Sequence, residues 1–456
     1  MSTPISSYDG GVTANPQQVL YPTTVEQIQT VLRDSATYPS PVRAMGSYHS
    51  LTPCASSDGT MLDMKRMNRI IEISKSKGTF TAEAGLQFID ASRALRAVKL
   101  QFMTNIEIGN LTLGSAACCH TKDALDGMEF GQVGSYVTKI KWVTPTGDLA
   151  EASEDTNPEL LQKVRASYGL CGVIYEVTFK IKPLENAHFS YFPRPVSELT
   201  EAEVEEFMKA PGLVCWTVGD TAVFQKRETA KVKEAGLGKL LAAIRRRLWN
   251  HGGAGLGRFL DLYAPEGDLR NFTHELWVRN TTNIYKVLAK GGGFNLPNPD
   301  KTIDYRSSPP ANRYAFTFWA FPSGQWLKTL REYLAFAEEH FQRTGFRCNM
   351  PLGSYHIRKD QKSLLSYTYD GEVFSIDPIH APTDQQAWSN FLREFNEFAY
   401  QRNGIPLLNQ SPFVERKHCE KAYGDRWQQF SDWVREQDPD GRMLNPFFAE
   451  LLAEKR

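Results

Sequence analysis

Apolar positions recur at two spacings along the first 185 residues. Val25, Ile28, Val31 and Leu32 form a stripe of helical period behind Pro22-Thr23-Thr24, which predicts a helix over 24–34. Further helical stretches are predicted over 88–98 and 160–165. Short runs rich in β-formers predict strands at 41–45, 60–64, 70–74 and 79–84. A strand over 136–144 ends in Pro145-Thr146-Gly147, a turn signal that predicts a hairpin into 148–152. The run 172–182, rich in Val, Ile, Tyr and Phe, reads as a strand stopped by Pro183. From about 186 the texture changes. Aromatic-rich strands (189–192, 314–321) alternate with long helices (323–344, 384–403). Leu240, Leu241, Ile244 and Leu248 lie at helical spacing beside Arg245-Arg246-Arg247, which predicts a surface helix with a solvated basic face; a helix touching a membrane surface is the rival reading. Together these elements predict an α+β fold.

Length and composition narrow the picture. A chain of 456 residues exceeds what one core usually supports, so two domains are expected. Lys+Arg and Asp+Glu both number 52, and this balance argues against binding a nucleic acid, which needs a basic surplus. No apolar run approaches the roughly 20 residues of a membrane span. The first ten residues are polar and unlike a signal peptide, so the expectation is a cytoplasmic protein without a membrane partner. Seven scattered cysteines without a CxxC, and nine histidines without an HExxH, predict reduced thiols and no metal site.

Candidate chemistry begins at Arg43-Ala-Met-Gly-Ser-Tyr-His-Ser50, a turn following a short strand. Gly46 with the small Ser47 and Ser50 lets backbone N–H groups approach an anion as closely as a pyrophosphate requires. Alone, such a turn is weak, and a histidine after it is ordinarily a plain polar residue.

In context the turn says more. With Leu51-Thr-Pro-Cys-Ala55, Asp58-Gly-Thr-Met-Leu-Asp-Met-Lys-Arg-Met-Asn68 and Thr79-Phe-Thr-Ala-Glu-Ala-Gly85, it resembles the vanillyl-alcohol-oxidase (PCMH) type of FAD-linked oxidoreductase, in the branch of sugar-lactone and alditol oxidases. Ile108-Gly-Asn-Leu-Thr-Leu-Gly114, Val143-Thr-Pro-Thr-Gly147 and Gly169-Leu-Cys-Gly-Val-Ile-Tyr-Glu-Val-Thr178 follow in order, then His418-Cys-Glu-Lys421 and Asp438-Pro-Asp-Gly-Arg-Met-Leu-Asn445. The resemblance covers 15–185 well and 405–450 fairly. It implies a PCMH-type FAD domain over 1–185, a cap of antiparallel sheet covered by helices over 186–425, and a C-terminal segment, 426–456, returning to the FAD domain.

The site residues follow from the same resemblance. Arg43, Gly46, Ser47, Tyr48, His49, Ser50, Leu51 and Thr52 become the pyrophosphate loop, with His49 bonded covalently to the flavin 8α-methyl. Thr112, Gly114, Cys119 and His120 form a second FAD segment, and Gly172 and Ile174 line the adenine or ribose side. This segment departs from the family pattern: His120 stands where a glycine is normal and Lys122 where a histidine is normal. Tyr48 replaces the usual small residue. Cys118 and Cys119 do not match the family's cysteinyl-flavin motif and read as plain small residues. His418-x-x-Lys421 resembles the family's H-W-x-K motif, which places Lys421 near the flavin or the substrate hydroxyl. His356 and Arg358 replace the family's Glu-x-Arg pair on a strand face turned to the flavin, and His380 is a further candidate.

The implied activity is FAD-dependent oxidation of the CH–OH group of a polyhydroxylated alcohol such as a sugar lactone, an alditol or a nucleoside, with O₂ reduced to H₂O₂. A dehydrogenase with another acceptor, and a flavin-binding protein without turnover, are the alternatives.

Overall fold

The computed structural model describes residues 4–123, 129–230, 240, 243, 244, 247, 253–263 and 267–453. Leu241, Arg245, Arg246 and Leu248 of the predicted basic helix lie outside them.

The first predicted helix is observed as Val25–Arg33, and it forms for identifiable local reasons. The Thr24 hydroxyl accepts the Gln27 N–H at 3.4 Å, and Ile28, Val31 and Leu32 are the buried side chains. Its C-terminal carbonyls are satisfied from far away: the Arg442 guanidinium donates to Val31 at 2.5 Å and Leu32 at 3.2 Å. Behind this helix lies a parallel sheet in the order Gln18–Leu20, Thr60–Asp63, Val42–Met45. An antiparallel sheet follows, in the order Leu149–Ser153, Val137–Val143, Val173–Pro183, Thr79–Glu83, Ile70–Ser74, with Leu100–Phe102 beside Val173–Pro183. The predicted hairpin is present, pairing Leu149 with Val143.

The core of this first unit is completed by the end of the chain. Cys419, Tyr423, Trp427, Phe430, Trp433, Phe448 and Leu451 pack with Phe80, Phe88, Phe102 and Trp142. The second unit is an antiparallel sheet in the order Phe294–Pro297, Asn186–Pro195, Thr221–Ala230, Gly212–Val218, Leu352–Ile357, Val373–Ile376, Trp319–Pro322, Ile405–Pro406. The helices Trp326–Thr344 and Gln385–Gln401 cover one face, packing against Leu213, Cys215, Phe224 and Phe374. The opposite face carries Val214, Trp216 and Tyr355. This is the α+β architecture expected.

The predicted strand over 314–321 is interrupted. Ala315–Phe316 pairs with Ile379–His380, whereas Trp319–Pro322 joins the large sheet. Thr317 and Phe318 break off to donate to the carbonyls of Pro378 and Gln410. Helices Gly253–Tyr263 and Gly267–Lys290 expose Leu256, Phe259, Leu262, Leu269 and Phe272. Among the described residues no helix is long and apolar enough to cross a membrane.

Candidate active site

A cavity runs from the loop after the strand Val42–Met45 to the cap-sheet face that carries Trp216 and Tyr355. Arg43, Gly46, Tyr48, His49 and Ser50 line it from the first loop. Thr112, Gly114 and Cys119 line it from the segment around helix Leu113–Cys118, and Gly172 and Ile174 from the start of strand Val173–Pro183. Ser47, Leu51, Thr52 and His120 are one step behind. Ser47 donates to the Asn110 carbonyl. Leu51 N–H reaches the Asn409 carbonyl at 2.9 Å, and the Thr52 hydroxyl the Leu408 carbonyl at 2.6 Å. His120 is buried with Nδ1 against the Tyr168 hydroxyl at 2.6 Å, and burial pushes its pKa down to about 3.

The wall is shaped by close backbone approach. A Cβ on Gly46 would sit 2.3 Å from Thr112 Oγ1, and Gly172 has φ +133° with its Cβ position 2.0 Å from the Val143 carbonyl. Arg43 is buried and donates to the carbonyls of Cys54 (2.7 Å), Tyr168 (2.5 Å) and Met443 (3.0 Å), tying three segments together under the loop. Its Nε, like Asn110 Oδ1, is buried without a protein partner. A groove of backbone and small side chains beside the Arg43 guanidinium fits the phosphates of a dinucleotide.

His49 stands midway. Its Nε2 is 2.6 Å from Asn110 Nδ2, its ring stacks on Tyr8 at 4.6 Å, and Tyr305 lies edge-on at 6.4 Å. Enclosure by protein, against the pull of Asn110, lowers its pKa to about 4, so the imidazole is neutral at ordinary pH. Beyond Tyr305 the aromatic wall continues through Tyr314 and Phe316 to Lys122. There Lys122 makes an ion pair with Asp377 across the two units, with side chains 11% and 3% exposed. Beneath them Glu107 receives Arg227 at 2.9 Å and the Tyr355 hydroxyl at 3.1 Å. Arg227 also meets Asp123 at 2.9 Å, and Asp123 meets Lys301 at 2.6 Å.

The candidates for substrate chemistry lie elsewhere. Lys421 is an exposed residue whose ammonium donates to the Tyr400 carbonyl at 2.6 Å, away from the cavity. His418 is buried between Trp319 and Tyr400, its Nδ1 accepting the Glu415 N–H at 2.8 Å as part of a helix cap. The reason is position: Arg416–Tyr423 is a helix packed on the outside of the cap strand Ile405–Pro406 and the first core. His356 fails by strand parity. It packs with Phe374 on the helix-covered face and reaches Glu372 at 3.3 Å, while Gly353, Tyr355 and Ile357 take the opposite face. Arg358, past the end of that strand, does not line the cavity either. His380 is buried against Trp388 and Phe346, and its neighbour Ile379 is the one on the cavity wall. The sequence reading thus gave no role to Asn110, Glu107 and Asp377. The signal available was the departure at Lys122, a cation that burial requires to have an anionic partner.

The comparisons agree with this geometry. Residues 16–153 match the FAD binding domain family. Over 449 residues the chain is 27% identical to the L-gulonolactone oxidase of Scyliorhinus torazame, covering 96% of this chain and 95% of the relative. It is 28% identical over 186 residues to the L-gulonolactone oxidase of Bos taurus, covering 41% and 42%. It is 27% identical over 210 residues to the L-gulono-1,4-lactone dehydrogenase of Mycobacterium tuberculosis, covering 46% and 47%. The chain thus spans less than half the length of the last two. In fold it is similar to cholesterol oxidase from B. sterolicum, with a TM-score of 0.72 at 14% identity over 98% of this chain and 96% of that one. Fold, cavity and family match define an FAD-dependent oxidoreductase whose FAD-binding domain occupies 16–153. Within that class, its likeness runs to the lactone oxidases that its motifs resemble.

Proposed function

We propose that the protein oxidises the CH–OH group of a polyhydroxylated, sugar-lactone-like alcohol, with O₂ as final acceptor and H₂O₂ as product. The observation that carries this reading is the continuity of the cavity. One end is a groove of glycines and backbone suited to FAD, and the other gathers Glu107, Lys122, Tyr355 and Asp377. The chemistry supplied by bound FAD is acceptance of a hydride from the alcohol carbon. The protein's own residues do the rest. Gly46, Gly114 and Gly172 admit the cofactor's backbone-bound portion. Asn110 fixes His49 through Nε2, and covalent attachment of the flavin at His49 belongs to this proposal. The aromatic wall excludes water from the reacting carbon, and the polar groups at its end hold the hydroxyls.

A dehydrogenase using another acceptor is the second reading, favoured by the similarity to the mycobacterial lactone dehydrogenase. A cytoplasmic setting is supported by seven cysteines that are all unpaired. The test is an absorption spectrum of the purified protein, repeated on pellet and supernatant after acid precipitation, followed by an alcohol screen under O₂ and with an artificial dye. Flavin retained in the pellet and H₂O₂ formed with a sugar lactone are expected. Dye reduction without O₂ consumption makes the protein a dehydrogenase. A colourless protein that takes up no FAD sinks the reading.

A further inference from the structure

We propose that Asp377 is the catalytic base that takes the hydroxyl proton of the alcohol, with the Lys122 ammonium holding the carboxylate in place and balancing its charge. This assignment rests on the oxidation reading above.

Both side chains line the cavity from opposite sides, Lys122 from the loop after helix Leu113–Cys118 and Asp377 from the turn after strand Val373–Ile376. The turn is fixed by two backbone hydrogen bonds between Asp377 and Gly353, at 2.8 and 3.1 Å. Lys122 is caged by rings, 3.6 Å from the centroid of Phe318 and 4.7 Å from that of Tyr355. The two carboxylate oxygens differ. Oδ2 receives Lys122, whereas Oδ1 is buried without a hydrogen-bond partner among the described residues, the Ser375 hydroxyl being the nearby group that lowers the carboxyl pKa alongside Lys122. A buried carboxylate oxygen left without a donor is unfavourable, and a substrate hydroxyl is the donor that relieves it.

Elimination leads to the same residue. Glu107 has both oxygens engaged, by Arg227 and by Tyr355. His49 is held by Asn110. His356, His418 and Lys421 do not line the cavity. Burial raises Asp377 to about 6 against the pull of Lys122, and lowers Lys122 to about 8 against the pull of Asp377 and Glu107. A base in that range is matched to proton transfer near neutral pH.

The step balances. The substrate O–H bond breaks and its proton bonds to Asp377 Oδ1; the O–H pair becomes the second C–O bond; the C–H pair leaves as hydride to oxidised FAD. One carbonyl product and one protonated Asp377 result.

The pair predicts a bell-shaped pH profile for anaerobic flavin reduction by the alcohol. The rate falls as pH drops through about 6, where Asp377 protonates, and again as it rises through about 8, where Lys122 loses its charge. The other titratable groups around the pair are Glu107, Tyr355 and Tyr367, with Asp123, Arg227 and Lys301 behind Glu107.

The experiment compares wild type with Asp377→Asn and with the neutral double variant Lys122→Met/Asp377→Asn, all as flavin-loaded protein. Expected for both variants is flavin content equal to wild type, a loss of about 10²–10⁴-fold in anaerobic reduction rate, and loss from infrared difference spectra of one of the two carboxyls, Asp377 and Asp123, that titrate near pH 6. A rate within about threefold of wild type overturns the assignment. If neither variant loads flavin, Asp377→Glu decides: a slower anaerobic reduction with a displaced low-pH limb supports the assignment, and a rate and limb equal to wild type overturn it. A wild-type protein whose flavin is reduced by no alcohol overturns the oxidation reading and the base assignment with it.

Discussion

Two residues show how chemistry depends on a neighbour. His49 keeps Nε2 against the Asn110 amide, and burial keeps the ring neutral. His49→Ala is expected to bind FAD and release all of it to the supernatant after acid precipitation, where wild type retains it. Lys421 makes the opposite case. Its ammonium sits on the surface against the Tyr400 carbonyl. Lys421→Ala is therefore expected to change the rate of alcohol oxidation by less than roughly twofold, as surface substitutions do. A larger loss would mean that the helix Arg416–Tyr423 reaches the reacting centre, contrary to its packing.

At the scale of elements, the C-terminal motif from Asp438 to Asn445 acts as a clasp. The Asp438 carboxylate accepts the N–H groups of Arg442 at 2.7 Å and Met443 at 2.8 Å, which closes the turn. Arg442 then caps the first helix, and the Asn445 amide donates to the carbonyls of Pro53 and Ser56, each at 2.9 Å, beside the cofactor loop. Replacing Asn445 by Ala leaves those part-buried carbonyls without their donor and removes the cap of helix Pro446–Leu452. The expected result is a destabilisation of about 2–3 kcal/mol, read as a lower denaturant midpoint with weaker FAD retention. The cap strand Leu352–Ile357 carries a different lesson. Its side chains alternate, and placing the functional pair at His356 and Arg358 instead of Gly353 and Tyr355 puts every candidate on the wrong face.

At the scale of the molecule, the first unit cannot be separated from the end of the chain. Trp427, Phe430, Trp433, Phe448, Leu451 and Leu452 all enter its core. Six such side chains at about 2 kcal/mol each are comparable with the whole stability of a domain. A chain ending at residue 407 is expected to bind no FAD and to elute from a sizing column as aggregate. The units are also fastened from below the cavity by Arg227 from the cap sheet, held between Glu107 and Asp123 of the first unit. Removing one member of so buried a cluster strands the others' charge.

How much of this was legible in the sequence follows from the range of each interaction. Local periodicity determined the helix Val25–Arg33, the strands of the first unit and the hairpin at Gly147, because those patterns are satisfied by residues a few positions apart. The motif around Arg43 to Ser50 pointed to the cofactor and its loop only through the family resemblance it shares with the later motifs, although backbone approach to a phosphate does ask for glycine and small residues there. Nothing local linked Lys122 to Asp377, 255 positions away, or chose which face of a strand meets the cavity. Register, strand parity and the pairing of buried charges are settled only when distant segments pack. That is why the tertiary structure, and not the order of residues, decided which groups stand at the reacting end.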